Sequence, residues 1–322
     1  MAASAASENG RRMAGRAASS WRSRRLAALL GALILMVTLA GCGETLSAPF
    51  ASATPPAATA TPSLPRTPAP KIAARSIYLM NAMTGEVYLS VNADAPVAMA
   101  STTKIMTALA AIQFSPSLDL PVHVGPDAVA MNTNGNSVAG LRQGDTITLR
   151  EALYALMLPS GDDAAVAIAD AVAGSPARFV GLMNLEAALL GMRHTRYVNV
   201  HGLDEDGHYS SARDLALLAG YAMANADFRA TVSTTEKKLA KTAQHISYDW
   251  NTTNNLLTTR RYDGAQGVKT GHTEAAGYCL VFEAAHTDRR LVGVVLGEKT
   301  DAGRFTDAAA LLDWGFGAQK AA

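Results

Sequence analysis

The sequence predicts an α+β domain: an antiparallel sheet of about five strands, drawn from both ends of the chain, with covering helices and a helical lobe inserted in the middle. Three observations predict it. Residues 75–92 alternate as a hairpin does, the stretch from about 101 to 225 carries helical periodicity, and the chain after about 265 returns to short β-rich runs separated by turns. With 322 residues, 49% of them hydrophobic, the chain can build one substantial core. Its formal net charge is +1, from 28 basic and 27 acidic residues with no long basic block in the body, which argues against nucleic acid as a partner.

Ahead of the domain, "WRSRRLAALLGALILMVTLAGCG" runs from Arg22, Arg24 and Arg25 through the uncharged Leu26 to Ala40 and ends in small residues and Cys42. That is the layout of an export signal. Its apolar run of about 15 residues falls short of the roughly 20 that a membrane-spanning helix needs. Residues 1–41 read as a lipoprotein signal peptide, because "LAGC" resembles a bacterial lipobox, whose cysteine takes a diacylglycerol thioether and becomes the new N-terminus. Two or three acyl chains on Cys42 satisfy the requirement of more than one chain for stable anchoring. The stretch before the arginines is long for a signal, so Met13 offers an alternative start. Residues 42–70 are the lipidated cysteine and a tether of Pro, Ala and Thr that cannot bury a core. At roughly 3 Å per residue the stretch from Ser47 to Pro70 extends to about 70 Å. The expected location is the bacterial envelope, with the protein lipid-anchored to the outer face of the cytoplasmic membrane.

The body spans residues 71–318, with a tail at 319–322. "RSIYLMN" and "VYLSVN" flank the turn "AMTGE" as a hairpin. A helix from Ser101 follows, with Ile105, Met106, Leu109 and Ile112 on its apolar face. "GDTITLREALYALMLPSGDDAAVAIADAVAG" reads as two helices broken at Pro159, Ser160 and Gly161. Further helices are expected at "SPARFVGLMNLEAALLG" and "SARDLALLAGYAMAN". "GVKTGHT", "GYCLVFEAA" and "RLVGVVLG" form a meander, and "DAGRFTDAAALLDWGF" a closing helix. Cys279, within the strand-like "GYCLVF", is a buried structural thiol on this reading, with no activating pattern around it.

Three short signals carry chemistry in order: Ser101 to Lys104, Ser160 to Asp162, and Lys269 to Gly271. Singly, each has a bland reading as a helix cap or a strand end. A serine hydroxyl is a weak nucleophile until a base takes its proton. Lysine serves as that base where burial or nearby cations depress its pKa. Positions three apart share a helix face, so Lys104 lies beside Ser101, and a helix N-terminus favours negative charge growing on the serine oxygen.

Together the motifs match the Ser-x-x-Lys, Ser-Asp-Asn and Lys-Thr-Gly signature of penicillin-binding proteins and class A β-lactamases. Over residues 72–317 the chain resembles the low-molecular-mass penicillin-binding proteins that act as serine D,D-carboxypeptidases. The likeness rests on "ASTTKIMTA", "PSGDDAAVAIAD", "YVNVHGLDEDGHYSSARDLALLA", "GVKTGHTEAAGYCLV" and "LGEKTDAGRFTDAAALLDWGF". The resemblance implies a β-lactamase/transpeptidase-like fold and removal of the terminal D-alanine from peptidoglycan stem peptides. Ser101 would be acylated, with Lys104 as its base and Ser160 relaying the proton to the departing amine. Lys269, with Thr270 and Gly271, would hold the substrate carboxylate, and Arg304 would add charge there. The backbone N–H groups of Ser101 and His272 would form the oxyanion hole. β-Lactams would acylate the same serine, and no cofactor or metal is expected.

One position departs from the family: Asp162 stands where asparagine is usual. An amide donates and accepts hydrogen bonds, whereas a carboxylate only accepts and favours the ammonium form of a nearby lysine. The expectation is retained activity with an altered pH profile, unless Asp162 turns away as a helix-start residue. Rival readings are a β-lactamase, for which Glu186 and Asp204-Glu205-Asp206 are the acids at hand but no Glu-x-x-Leu-Asn pattern exists, and a D,D-endopeptidase. A zinc site on His201, Asp204, Asp206 and His208 is a third, and a non-catalytic wall-sensing lipoprotein a fourth. His123, His194, His245 and His286 read as surface or turn residues.

Overall fold

The computed structural model describes residues 68–133, 135–286 and 289–317. The signal peptide, Cys42, nearly all of the tether and the tail lie outside the described residues.

Five strands form the main sheet: β1 (Ser76–Asn81), β2 (Val87–Val91), β7 (Ala265–Thr273), β8 (Gly277–His286) and β9 (Arg289–Glu298), in the order β2-β1-β9-β8-β7 with every pair antiparallel. The expected five-stranded sheet from both ends of the chain is therefore present. Its two halves join where β1 pairs with β9, Tyr78 opposite Val294. Alternation along the strands separates two cores. Tyr78, Met80, Val281, Val292 and Val294 face the helical lobe. Ile77, Leu79, Leu280, Phe282, Leu291 and Val295 pack on Phe305, Leu311, Leu312 and Phe316 of the closing helix, Asp301–Gly317. Both faces are covered, which is why β8 and β9 read as nearly unbroken apolar runs.

Between β2 and β7 lie the helices α1 (Lys104–Phe114), α2 (Pro126–Val129), α3 (Leu149–Met157), α4 (Asp162–Ala173), α5 (Pro176–Leu189), α6 (Ala212–Met223) and α7 (Ala226–Val232); the closing helix is α8. Helix α1 is buried on all sides from Lys104 to Ile112, not on one face as expected, because sheet and lobe enclose it. Helices α3 and α4 are separated at Leu158–Gly161, as the Pro-Ser-Gly break predicts. Two small antiparallel ribbons add to the predicted elements: β3 (Pro121–His123) with β4 (Thr146–Thr148), and β5 (Glu236–Leu239) with β6 (Tyr248–Asn251).

Candidate active site

Ser101 does not start an α-helix. Ala100–Thr103 make one 3-10 turn, and α1 begins three residues later at Lys104. Ala100, with a left-handed φ of +49°, keeps helical backbone from running further back than Ser101, and the first turn is wound as 3-10 before the α-helix proper. The expected proximity survives: Lys104 Nζ lies 2.8 Å from Ser101 Oγ. The same nitrogen donates to Asp162 Oδ1 at 2.6 Å and to the His201 carbonyl at 2.7 Å, so all three ammonium donors are engaged. Lys104 is wholly buried, and burial pulls its pKa down against the raising influence of Asp162 and Asp163. Asp162 thus opposes loss of the proton, as expected of a carboxylate here, while desolvation sets the net direction.

Asp162 is both the first residue of α4 and the partner of Lys104, so its helix-start position does not turn it away. Its N–H donates to the Ser137 carbonyl at 2.8 Å. Beside it Asp163, also buried, accepts the N–H groups of Ala139, Leu141 and Ala164 at 2.8–2.9 Å. Burial raises the Asp163 pKa, and these three donors work the other way. Sequence reasoning missed Asp163, whose only signal was a second acid after the Ser-Gly-Asp motif. Ser160 is held with φ +67°, and its buried hydroxyl has no hydrogen-bond partner among the described residues.

Strand β7 brings the third motif to the same place. Gly271 passes so close to the Ala100–Thr103 turn that a β-carbon on it would lie 3.1 Å from the Ser101 nitrogen and from the Met99 oxygen, so only glycine fits without displacement. Lys269 is buried and donates to the Thr270 carbonyl at 2.9 Å. Its pKa lies well below the ordinary lysine value, through burial first and then the positive charges of Lys104 and Arg304. Thr270 Oγ1 and Thr253 Oγ1 are 2.6 Å apart, which adds Thr253 to the residues that short motifs could not reveal. Arg304 reaches β7 from α8, donating to the carbonyls of Gly271 at 2.8 Å and Cys279 at 3.2 Å and pairing with Asp301. Burial lowers its pKa. The exposed His272 ring stacks on Tyr278 with centroids 4.1 Å apart.

The loop from Asn199 to His208 closes the site from the lobe. Besides the His201 carbonyl, the Val200 carbonyl accepts Thr107 Oγ1 at 2.7 Å, so two turns of α1 are fastened to it. Asp204, Glu205 and His208 make structural contacts. Asp204 Oδ1 accepts from Thr273 Oγ1 at 2.7 Å, and Glu205 accepts from Asn199 at 3.0 Å. His208 Nε2 meets Thr103 Oγ1 at 2.8 Å. Burial lowers the pKa of both histidines, that of His208 to about 4. Glu186, one acid weighed for a β-lactamase, faces the far end of α1: with the Gln113 amide turned to donate, its nitrogen lies 2.9 and 3.1 Å from the two carboxylate oxygens. Gln113 is about 13 Å along the helix from Lys104, at 1.5 Å rise per residue.

A buried amine against a serine hydroxyl, with a second buried lysine on the facing strand, can deprotonate the hydroxyl and hold an anion beside it. Residues 63–300 match the family model described as D-alanyl-D-alanine carboxypeptidase. A protein of that name from Streptomyces sp. (strain K15) is 40% identical over 261 residues, covering 77% of this chain and 88% of the relative. D-alanyl-D-alanine carboxypeptidase DacC of Escherichia coli is 39% identical over 255 residues, covering 77% of this chain; the match takes in only 62% of that longer relative. The crystal structure of the Streptomyces K15 DD-transpeptidase superposes with a TM-score of 0.73 at 36% identity, over 78% of this chain and all of the other. The chain belongs to the D-alanyl-D-alanine carboxypeptidase family of serine-type peptidases.

Proposed function

We propose that this protein removes the terminal D-alanine from peptidoglycan stem pentapeptides through an acyl-enzyme on Ser101, and that penicillins acylate the same oxygen. The observation that carries the reading is the 2.8 Å contact between Ser101 Oγ and the wholly buried Lys104 amine. In the reaction, neutral Lys104 takes the hydroxyl proton as Oγ attacks the carbonyl carbon between the two D-alanines. Ser160, whose buried hydroxyl has no other partner among the described residues, relays a proton to the departing amine. Lys269 and Thr270 hold the terminal carboxylate, with the Arg304 charge behind Gly271. The N–H groups of Ser101 and His272 receive the oxyanion, and Asp162 holds back loss of the Lys104 proton against the effect of burial. Water then opens the ester.

On this reading residues 71–318 are the catalytic body, residues 1–41 the signal peptide, Cys42 the lipid attachment and residues 42–70 a tether that lets the body reach the wall from the outer face of the membrane. The family's action on the cell wall supports an envelope location.

The test is to incubate the purified protein with a pentapeptide ending in D-Ala-D-Ala and with a crosslinked dimer, and to weigh the products. Free D-alanine from the first, an intact dimer and no product from Ser101→Ala are expected. Cleavage of the dimer instead identifies an endopeptidase. Acylation by penicillin without release of D-alanine identifies a sensor, and rapid penicillin turnover a β-lactamase. Because the solved relative carries the name transpeptidase, an added amine acceptor tests whether water or the amine resolves the ester.

A further inference from the structure

We propose that His208 is a positioning residue that aims the Ser101 N–H at the reacting oxygen, acting through Thr103 on the Ala100–Ser101 peptide. The inference rests on the reading of Ser101 as nucleophile and oxyanion donor. His208 is buried, and its Nδ1 lies 3.1 Å from the backbone nitrogen of Val198. A backbone N–H can only donate, so Nδ1 accepts, and the proton of the neutral ring sits on Nε2. Nε2–H therefore donates to Thr103 Oγ1 at 2.8 Å, and the threonine hydroxyl donates in turn to the Ala100 carbonyl at 2.8 Å. Every hydrogen bond in the series runs in one direction, which is the arrangement in which neighbours polarise one another.

The endpoint gives the series its function. The Ala100 carbonyl and the Ser101 N–H belong to one planar peptide and point in opposite directions. Whatever grips the carbonyl therefore fixes where the N–H points. That peptide begins from the left-handed Ala100, a conformation that persists only when its surroundings over-determine it. Thr103 and His208 supply one restraint. Gly202, in the same loop as His208, supplies the other: its φ is +100°, and a β-carbon there would fall 2.1 Å from the Ala100 oxygen. The Tyr197 ring meets His208 edge-on with centroids 6.0 Å apart and limits its rotation.

The test uses a coloured cephalosporin and the full protein, separating initial binding from the acylation rate constant by stopped flow. Loss of a whole oxyanion donor costs about 10²- to 10³-fold, so a misaimed one in His208→Ala is expected to slow acylation about tenfold with initial binding unchanged. Thr103→Val should show the same loss, and the double variant no further loss. His208→Gln, whose amide still donates to Thr103, should recover most of the rate. Equal rates for parent, His208→Gln and Thr103→Val overturn the proposal, as does His208→Gln slowed as much as Thr103→Val, or a fall in melting temperature at an unchanged acylation rate per active site. Should His208→Ala fail to fold, the comparison of His208→Gln with Thr103→Val still decides. Ser101→Ala is the separate control: if it is still acylated, the nucleophile assignment fails, not the positioning role.

Discussion

Asp162 brings a carboxylate to within 2.6 Å of Lys104 Nζ, the amine that loses a proton in the proposed mechanism. Burial lowers the Lys104 pKa and Asp162 raises it, so removing the charge leaves burial less opposed. Asp162→Asn should therefore lower that pKa further, and the neutral base should appear at lower pH. The acid limb of the acylation rate is expected to move to lower pH, because an opposite charge at this distance favours the ammonium form. A pH profile of penicillin acylation identical to the parent's would sink this account. Cys279 offers a second measurement at this scale. It is wholly buried, and burial pushes its thiol up to about 11. A thiol reagent should leave it untouched in the native protein and label it on denaturation.

Helix α3 begins with a complete capping box: Thr148 Oγ1 accepts the Glu151 N–H at 3.2 Å, and the Glu151 carboxylate accepts the Thr148 N–H at 2.8 Å. Thr148→Ala removes one half and should lower stability by about 1 kcal/mol, read by urea unfolding, with acylation at Ser101 unaffected. The same threonine ends β4, so a single side chain closes a strand and opens a helix. Elements of this kind are legible where local pattern and burial agree. The first hairpin, the Pro-Ser-Gly break between α3 and α4, and the β7–β9 meander were all readable from periodicity and punctuation. The two ribbons were not, since "PVH", "TIT", "EKKL" and "YDWN" are too short to show alternation. They exist because Val122, Ile147 and Trp250 are buried by the lobe. The 3-10 winding at Ser101 and the left-handed Ala100 before it have no signature in residue type.

Across the whole molecule, the buried His208 couples stability to acid. His208 falls from 6.5 to about 4 on folding, so between those values the unfolded chain binds a proton that the native protein does not. Stability therefore falls as pH drops through this window, by about 3 kcal/mol for the full shift. His201, lowered by burial, adds to the same slope. Asp307, pushed up to about 6 by burial and its contact with Glu298, acts oppositely, because the native state there gains a proton sooner. His208→Gln should flatten the fall in unfolding free energy between pH 7 and pH 4.5; an unchanged slope would show that the histidine carries no part of it. On the same scale, the sequence by itself determined the class of fold, the order of its main elements and the spacing that sets Lys104 against Ser101, because periodicity and a three-residue separation are local properties of the chain. Only the tertiary structure decided that Gly271 abuts the turn holding Ser101, that Asp162 faces Lys104, and that the Asn199–His208 loop grips both the amine and the turn. Those contacts join residues separated by tens to hundreds of positions, and burial from both sides, which no local pattern records, is what holds them together.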